Sequence, residues 1–144
     1  MSKIAIIGAG VSGLSTGVKL LEAGHKVIIF AKEIHPNTTS NVAAAIWLPY
    51  KIAPEQRALA WAITSLKIFK KLAQQTPQAG IIFKRHTELL SSPIKRLAYS
   101  EYLPTLPVPD YIPAQYKAHS YSLEIPVIDT QKYMPYLHLF LSIL

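Results

Sequence analysis

The chain has 144 residues, of which 50% are hydrophobic and 16% charged, so it can fill the core of about one domain and is not composed like a disordered tail. It has no cysteine, which excludes a disulfide framework, a thiolate metal site and a cysteine nucleophile. Lysine and arginine number 15 and acidic residues 8, giving a net charge of +7, but the basic residues are spread along the chain. That spread favours a solvated basic surface over a nucleic-acid interface.

The start of the chain predicts neither a signal peptide nor a membrane span. The first apolar run is short and passes directly into glycines, without a small-residue cleavage pattern. No apolar run approaches the roughly 20 residues that a membrane-spanning helix needs. We therefore expect a cytoplasmic protein.

The first 31 residues have the pattern of a strand, a helix and a second strand. Residues 3–7 are a short apolar run that ends at a glycine, as in a buried strand. Residues 11–23 carry apolar side chains at three- and four-residue spacing, which predicts a helix ended by Gly24. Residues 26–31 are a second apolar run, so the three segments together predict a βαβ unit.

The remainder of the chain is rich in proline, since all 11 prolines lie at position 36 or later. Its periodicity predicts, in chain order, an irregular segment over 35–50, an amphipathic helix over 54–75, a strand over 80–88, a surface turn over 93–96, a strand over 115–125 and a helix over 130–144. Asp129 or Thr130 is suited to cap the last helix. Trp47 and Trp61 are predicted to be core aromatic residues.

A glycine-rich motif connects the first predicted strand to the first predicted helix. It consists of Gly8, Ala9, Gly10, Val11, Ser12 and Gly13. In this context Gly8 permits a tight turn, Gly10 lets a pyrophosphate approach the backbone, and Gly13 lets the helix pack closely on the strand. The helix start offers N–H groups and the positive end of its dipole to phosphates. The motif therefore predicts a dinucleotide-binding site.

An acidic residue normally follows the glycines of such a site by about 20 residues and bonds the adenosine ribose. Ala31 and Lys32 stand at the end of the second predicted strand, and Glu33 is the first acid available. If the strand continues, Glu33 shares a face with Ala31. We interpret Glu33 as the ribose partner, with a solvated glutamate at a strand end as the alternative.

A segment rich in hydroxyls and alanines follows. Thr38, Thr39 and Ser40 are suited to donate to phosphate or to cap a helix, and the next three small residues, Ala43, Ala44 and Ala45, would let the backbone approach a flat ligand. From the residues alone, an ordinary helix cap is an equally good interpretation.

The two segments together resemble the FAD-dependent D-amino-acid oxidase family, which includes D-aspartate oxidase. Residues 4–16 are similar to that family's first strand and loop, and residues 38–50 to its second FAD-contacting segment, with weaker similarity over 124–133. The resemblance implies that Thr39 and Ser40 meet the pyrophosphate or ribityl chain of FAD. It also implies that the flavin ring is lined by backbone groups of Ala44, Ala45 and Ile46.

The chemistry that the resemblance implies is the oxidation of a small D-amino acid. Hydride passes from the substrate α-carbon to flavin N5, dioxygen reoxidises the flavin with formation of hydrogen peroxide, and the imino acid hydrolyses to a keto acid and ammonia. The chain resembles only the front portion of the family, whose substrate-binding residues lie in the back half. We therefore assign no catalytic residue and expect the chain alone to be inactive.

The expected fold class is α/β, with a Rossmann-type FAD-binding βαβ unit and the beginning of an antiparallel-strand substrate domain, incomplete. The expected domains are residues 1–76, the N-terminal part of the FAD-binding domain, and residues 77–144, the start of the substrate domain and a truncated return helix. One alternative is a non-catalytic remnant or split subunit that needs self-association or a complementary C-terminal chain. Another is an NAD-type enzyme. The scattered histidines predict no metal site.

Overall fold

The computed structural model describes residues 1–90 and 98–143, so the surface turn expected over 93–96 lies outside the described residues. The fold is mixed α/β, with one parallel sheet and a second sheet that contains an antiparallel pair. Its strands are β1 Lys3–Ile7, β2 Lys26–Phe30, β3 Ala45–Ile46, β4 Ile81–Glu88, β5 Thr105–Leu106 and β6 Tyr121–Ile128. Its α-helices are α1 Val11–Glu22, α2 Glu55–Gln75, α3 Ala114–Lys117 and α4 Thr130–Ile143.

The chain divides into two compact units. The first unit comprises residues 1–45, 76–81 and 128–144, and the second comprises residues 46–75 and 82–127. The division at residue 76 into an FAD-binding and a substrate domain stays a prediction. None of the described helices is both long enough and apolar enough to cross a bilayer.

The first unit begins with the predicted strand, helix and strand. β1 and β2 are parallel, with Lys3 opposite Lys26 and Ile7 opposite Phe30. β2 ends at Phe30, one residue earlier than expected, and the Phe30 carbonyl accepts a 2.7 Å hydrogen bond from the Gly8 N–H. The ends of the two strands are thereby held together beneath the glycine-rich loop.

The parallel sheet of the first unit has one covered and one open face. Residues alternate between partly buried and exposed along both strands, as the period of two requires. On the open face Ile7 is 92% exposed, Phe30 59% and Ile28 56%. Lys3 and Lys26 lie at the other end of the same face. The open face is therefore basic at one end and apolar at the other.

α1 and α4 pack together in the first unit. α4 buries Tyr133, Met134 and Leu137, and a side chain at Gly17 would meet Leu141. Burial and the neighbouring Tyr136 raise the pKa of Tyr133, while a hydrogen bond with Ser15 opposes that rise. The start of α4 is fixed by Asp129, whose Oδ1 accepts from the Gln131 N–H at 3.1 Å, as the sequence predicted for a cap.

The second unit has its own hydrophobic core, formed by Trp47, Leu66, Tyr99, Leu103, Leu123 and Ile125. Strand order in its sheet is β3, β6, β4, and β5 pairs antiparallel with β6. The Trp47 indole N–H donates to the Ala62 carbonyl at 3.0 Å and to Ser65 Oγ at 3.1 Å. Trp47 therefore ties the start of the unit to α2 by polar as well as apolar contacts.

Two expectations from the sequence are wrong. The strand predicted over 115–125 begins only at Tyr121, because the exposed residues after Pro113 form the short helix α3 and gain no burial from a strand. β6 then continues through Pro126, whose carbonyl accepts from the Trp47 N–H. Trp61 is 66% exposed and not in the core, since it lies about 140° around α2 from Leu66.

The two tryptophans provide a matched test of the second unit's core. We expect Trp47→Phe to lower the free energy of unfolding by about 1–3 kcal/mol, because it loses indole volume and the hydrogen bonds to α2. Trp61→Phe should change it by no more than about 0.5 kcal/mol. Urea unfolding followed by circular dichroism measures both, and equal effects would contradict the assignment of Trp47 to the core.

Candidate functional site

The two segments that the sequence singled out meet at the start of α1. The Val11 N–H donates a 3.0 Å hydrogen bond to Ser40 Oγ, across 29 residues of sequence. This bond satisfies one of the N–H groups that the first turn of a helix leaves without an intrahelical partner. It uses a lone pair of Ser40 and not the hydroxyl hydrogen, so both Ser40 and the helix start present donors at the same place.

Close approaches explain two of the glycines. A Cβ on Gly13 would overlap the Gly8 carbonyl oxygen, so only glycine lets α1 start directly against the end of β1. A Cβ on Gly10 would lie 3.0 Å from Ser40 Oγ. Gly10 therefore makes room for Ser40, a role that the sequence pattern did not indicate. At Gly10, no side chain stands beside Ser40 at the N-terminal end of α1.

Ser40 belongs to a tight turn that we call the hydroxyl turn, residues 38–41. Its last three residues form a 3-10 helix, and the Asn41 N–H donates to the Thr38 carbonyl at 2.9 Å. Thr38 Oγ1 donates to Asn41 Oδ1 at 2.7 Å, so the Thr38 hydroxyl points back into the turn. Thr39 is exposed. The turn thus presents Thr39 and Ser40 outward, whereas the Thr38 hydroxyl is used in a hydrogen bond within the turn.

Asn41, which the sequence pattern left unassigned, lies at the centre of this arrangement with 1% of its surface exposed. Its carbonyl accepts from Thr130 Oγ1 and from Gln131 Nε2, at 2.9 and 2.7 Å. Those partners are 89 and 90 residues away in sequence. No local pattern can reveal such a contact, although an amide next to three hydroxyls is a signal for a turn.

The other candidate residues are placed as follows. Ala9 is buried and Ser12 exposed within the glycine-rich loop. Glu33 is exposed and follows β2, so the alternation that would align it with Ala31 does not reach it. Ala44 is exposed, Ala45 half-buried, and Ile46, 47% exposed, is the first residue of the second unit. A ligand contact by any of these residues stays a prediction.

The part of the chain that the structure describes has no group of three or more histidine, aspartate or glutamate side chains arranged to hold a metal ion. The donors at the start of α1 are backbone N–H groups and one hydroxyl. That donor set suits an anion such as a phosphate group.

Comparison with known proteins matches the same region to a protein family. The model of the DAO family, described as FAD dependent oxidoreductase, matches residues 3–119. A D-amino-acid oxidase of Rubrobacter xylanophilus is 39% identical over 90 residues, covering 62% of this chain and 27% of that protein. A D-amino-acid oxidase of Streptomyces coelicolor is 40% identical over 79 residues, covering 55% of this chain and 25% of that protein. A D-amino acid oxidase of Dugesia ryukyuensis is 30% identical over 147 residues, covering 94% of this chain and 43% of that protein.

The chain is short relative to these proteins. The matched region spans between 25% and 43% of their length. The family match over residues 3–119 includes both the glycine-rich loop and the hydroxyl turn.

The contact of Gly13 with Gly8 can be tested by Gly13→Ala. The added methyl overlaps the Gly8 carbonyl oxygen and must push α1 away from β1, so we expect a loss of about 1–3 kcal/mol in the free energy of unfolding. Thr16→Ala, at an exposed position of the same helix, should stay within about 0.5 kcal/mol of the parent. Chemical denaturation compares the two, and a neutral Gly13→Ala would show that the helix does not need this approach.

Proposed function

Because this chain belongs to the FAD-dependent oxidoreductase family, we propose that its first unit binds the pyrophosphate of FAD at the start of α1. We further propose that it does so as part of an enzyme that oxidises a D-amino acid. The observation that carries the proposal is the 3.0 Å hydrogen bond from the Val11 N–H to Ser40 Oγ, which joins the two candidate cofactor segments.

The residues present fit a pyrophosphate. α1 has 12 residues, enough for a helix dipole with a positive end at Val11, and its first N–H groups face away from the helix. Gly10 carries no side chain over that end, and Ser40 adds a hydroxyl donor beside it. A doubly charged diphosphate would find N–H and O–H donors there without a cation being required.

The remaining roles follow the family resemblance. We assign Gly8, Ala9, Ser12 and Gly13 to the loop around the pyrophosphate, and Thr38 and Thr39 to the hydroxyl turn that faces it. Glu33 is proposed as the ribose partner, and the backbone of Ala44, Ala45 and Ile46 as the lining of the flavin ring. β1, α1 and β2 would then be a Rossmann-type FAD-binding βαβ unit, with residues 1–76 belonging to the N-terminal part of the FAD-binding domain and residues 77–144 to the start of the substrate domain.

When bound, FAD would supply the redox chemistry, namely acceptance of hydride from the α-carbon of an amino acid and transfer of the electrons to dioxygen with formation of hydrogen peroxide. The tasks left to this chain's residues are to bind and orient the cofactor. Backbone donors of α1 hold the charged end, and the Ser40 hydroxyl fixes its direction. No described residue is assigned a proton transfer or a contact with the amino acid.

A second candidate function is a non-catalytic component that works with a complementary chain or with another copy. The open face of the parallel sheet favours it, because Ile7, Ile28 and Phe30 are exposed there and parallel sheets are ordinarily covered on both faces. A mainly apolar cavity of about 490 Å³, also in the first unit, runs along β2 and is lined by Val27, Ile29 and other side chains. A second chain packed on these exposed side chains would cover the open face, whereas the cavity lies on the opposite face of β2.

The FAD proposal predicts that flavin stays with the purified chain. We expect flavin absorption bands to remain after desalting and the melting temperature to rise with added FAD, since a ligand that binds only the folded state stabilises it. Ser40→Ala removes one donor and should weaken FAD binding about 3–10-fold, the equivalent of one hydrogen bond. Thr64→Ala, which removes an exposed hydroxyl in α2, is the control. A colourless parent protein that FAD does not stabilise would contradict the proposal.

The isolated chain should produce no peroxide from a D-amino acid. The matched region covers 43% of the Dugesia relative, and the family resemblance places the residues that bind the substrate carboxylate beyond it. A coupled peroxidase assay with D-alanine and D-aspartate, with and without added FAD, measures this. Peroxide formation that depends on the D-amino acid would show that the chain carries a substrate site of its own.

A further inference from the structure

A buried asparagine connects three parts of the first unit. Asn41 is 1% exposed, and its side chain accepts from Thr38 Oγ1 at 2.7 Å and pairs through Nδ2 with His35 Nδ1 at 2.7 Å. Its carbonyl accepts from Thr130 and Gln131 at the start of α4. Burying an amide is costly unless its polar atoms are paired, and here both ends of the amide and the backbone carbonyl have partners.

The directions of these bonds fix the amide. Since Thr38 donates to Oδ1, Nδ2 faces His35, and the imidazole must offer a lone pair at Nδ1. The side chain is therefore held at two points within its own segment. The backbone carbonyl is held at two further points by α4.

This places Ser40 between two anchored positions. Ser40 directly precedes Asn41, and its Oγ lies 3.0 Å from the Val11 nitrogen. The start of α4 is itself held by hydrogen bonds, because Asp129 Oδ1 accepts from the Gln131 N–H and the Asp129 N–H donates to the Gly80 carbonyl at 2.8 Å. A shift of Asn41 would carry the Ser40 hydroxyl off the end of α1.

We propose that Asn41 is the positioning residue of the cofactor site: it fixes the hydroxyl turn between α4 and the N-terminus of α1 and so sets where Ser40 meets the ligand. It acts through Ser40 and makes no ligand contact of its own. Its effect on FAD binding rests on the proposed function, whereas its effect on the Ser40–Val11 contact does not.

The test is amide hydrogen exchange in the protein without ligand, measured by NMR. Asn41→Ala should lower the protection of the Val11 amide about 3–10-fold, as expected for weakening one hydrogen bond. The Leu14 amide, which donates to the Gly10 carbonyl at 3.0 Å in the same helix, should keep its protection. Unchanged protection at Val11, or equal losses at Val11 and Leu14, would overturn the proposal, the latter because it marks general destabilisation.

Gln131→Ala provides a milder variant should Asn41→Ala fold poorly. It removes one donor to the Asn41 carbonyl from an exposed side chain and leaves the amide in place. We expect the same pattern, with a smaller loss at Val11 and none at Leu14. No loss at Val11 would show that the Gln131 bond does not help to hold the turn, since Thr130 still donates to the Asn41 carbonyl in this variant.

A binding measurement with FAD separates this proposal from the proposed function. If the parent binds FAD, Asn41→Ala should weaken binding about 3–10-fold. Unchanged FAD affinity would overturn the positioning role. If the parent does not bind FAD, the proposed function fails, and the exchange comparison of Val11 with Leu14 still decides whether Asn41 positions Ser40. Thr64→Ala serves as the control in both measurements.

Discussion

The first unit depends on how closely α1 begins against the end of β1. That approach requires the absence of a side chain at Gly13, which faces the Gly8 carbonyl oxygen. Gly8 in turn donates to Phe30, so the same few atoms fix the helix to both strands. Once the helix start is fixed there, its N–H groups point to one place, and the hydroxyl turn can reach it. Without this approach the glycine-rich loop and the hydroxyl turn would not meet at the start of α1.

The contacts that join the hydroxyl turn to α1 and α4 are made by backbone groups, hydroxyls and a side-chain amide. Such bonds are directional, and each contributes about 0.5–1.5 kcal/mol net, but leaving a buried partner unpaired costs more. These hydrogen bonds therefore specify the position of the hydroxyl turn most strongly where they surround the buried Asn41. The net charge of +7 need not be invoked to explain how this site would hold an anion.

Short-range patterns predicted the part of the fold that short-range forces determine. β1, α1 and β2 follow from apolar spacing and glycine positions, and α2 from its stripe. The wrong predictions involve tertiary burial: residues 115–118 are exposed and gain no burial from a strand, and Trp61 lies off the buried side of its helix. The glycine loop and Ser40 were predictable as candidates. Asn41 was not, because its partners lie in α4 and only the folded chain brings them near.

The open face of the parallel sheet combines basic and apolar side chains, whose interactions respond differently to salt. Lys3 lies opposite Lys26 at one end, and Ile7 opposite Phe30 at the other, so two molecules that approach through this face meet both repulsion and apolar attraction. At an ionic strength of 0.1 M the repulsion reaches only about 10 Å, and at 1 M about 3 Å. Apolar attraction is not screened in this way. Rising ionic strength therefore moves the balance at this face from repulsion toward association.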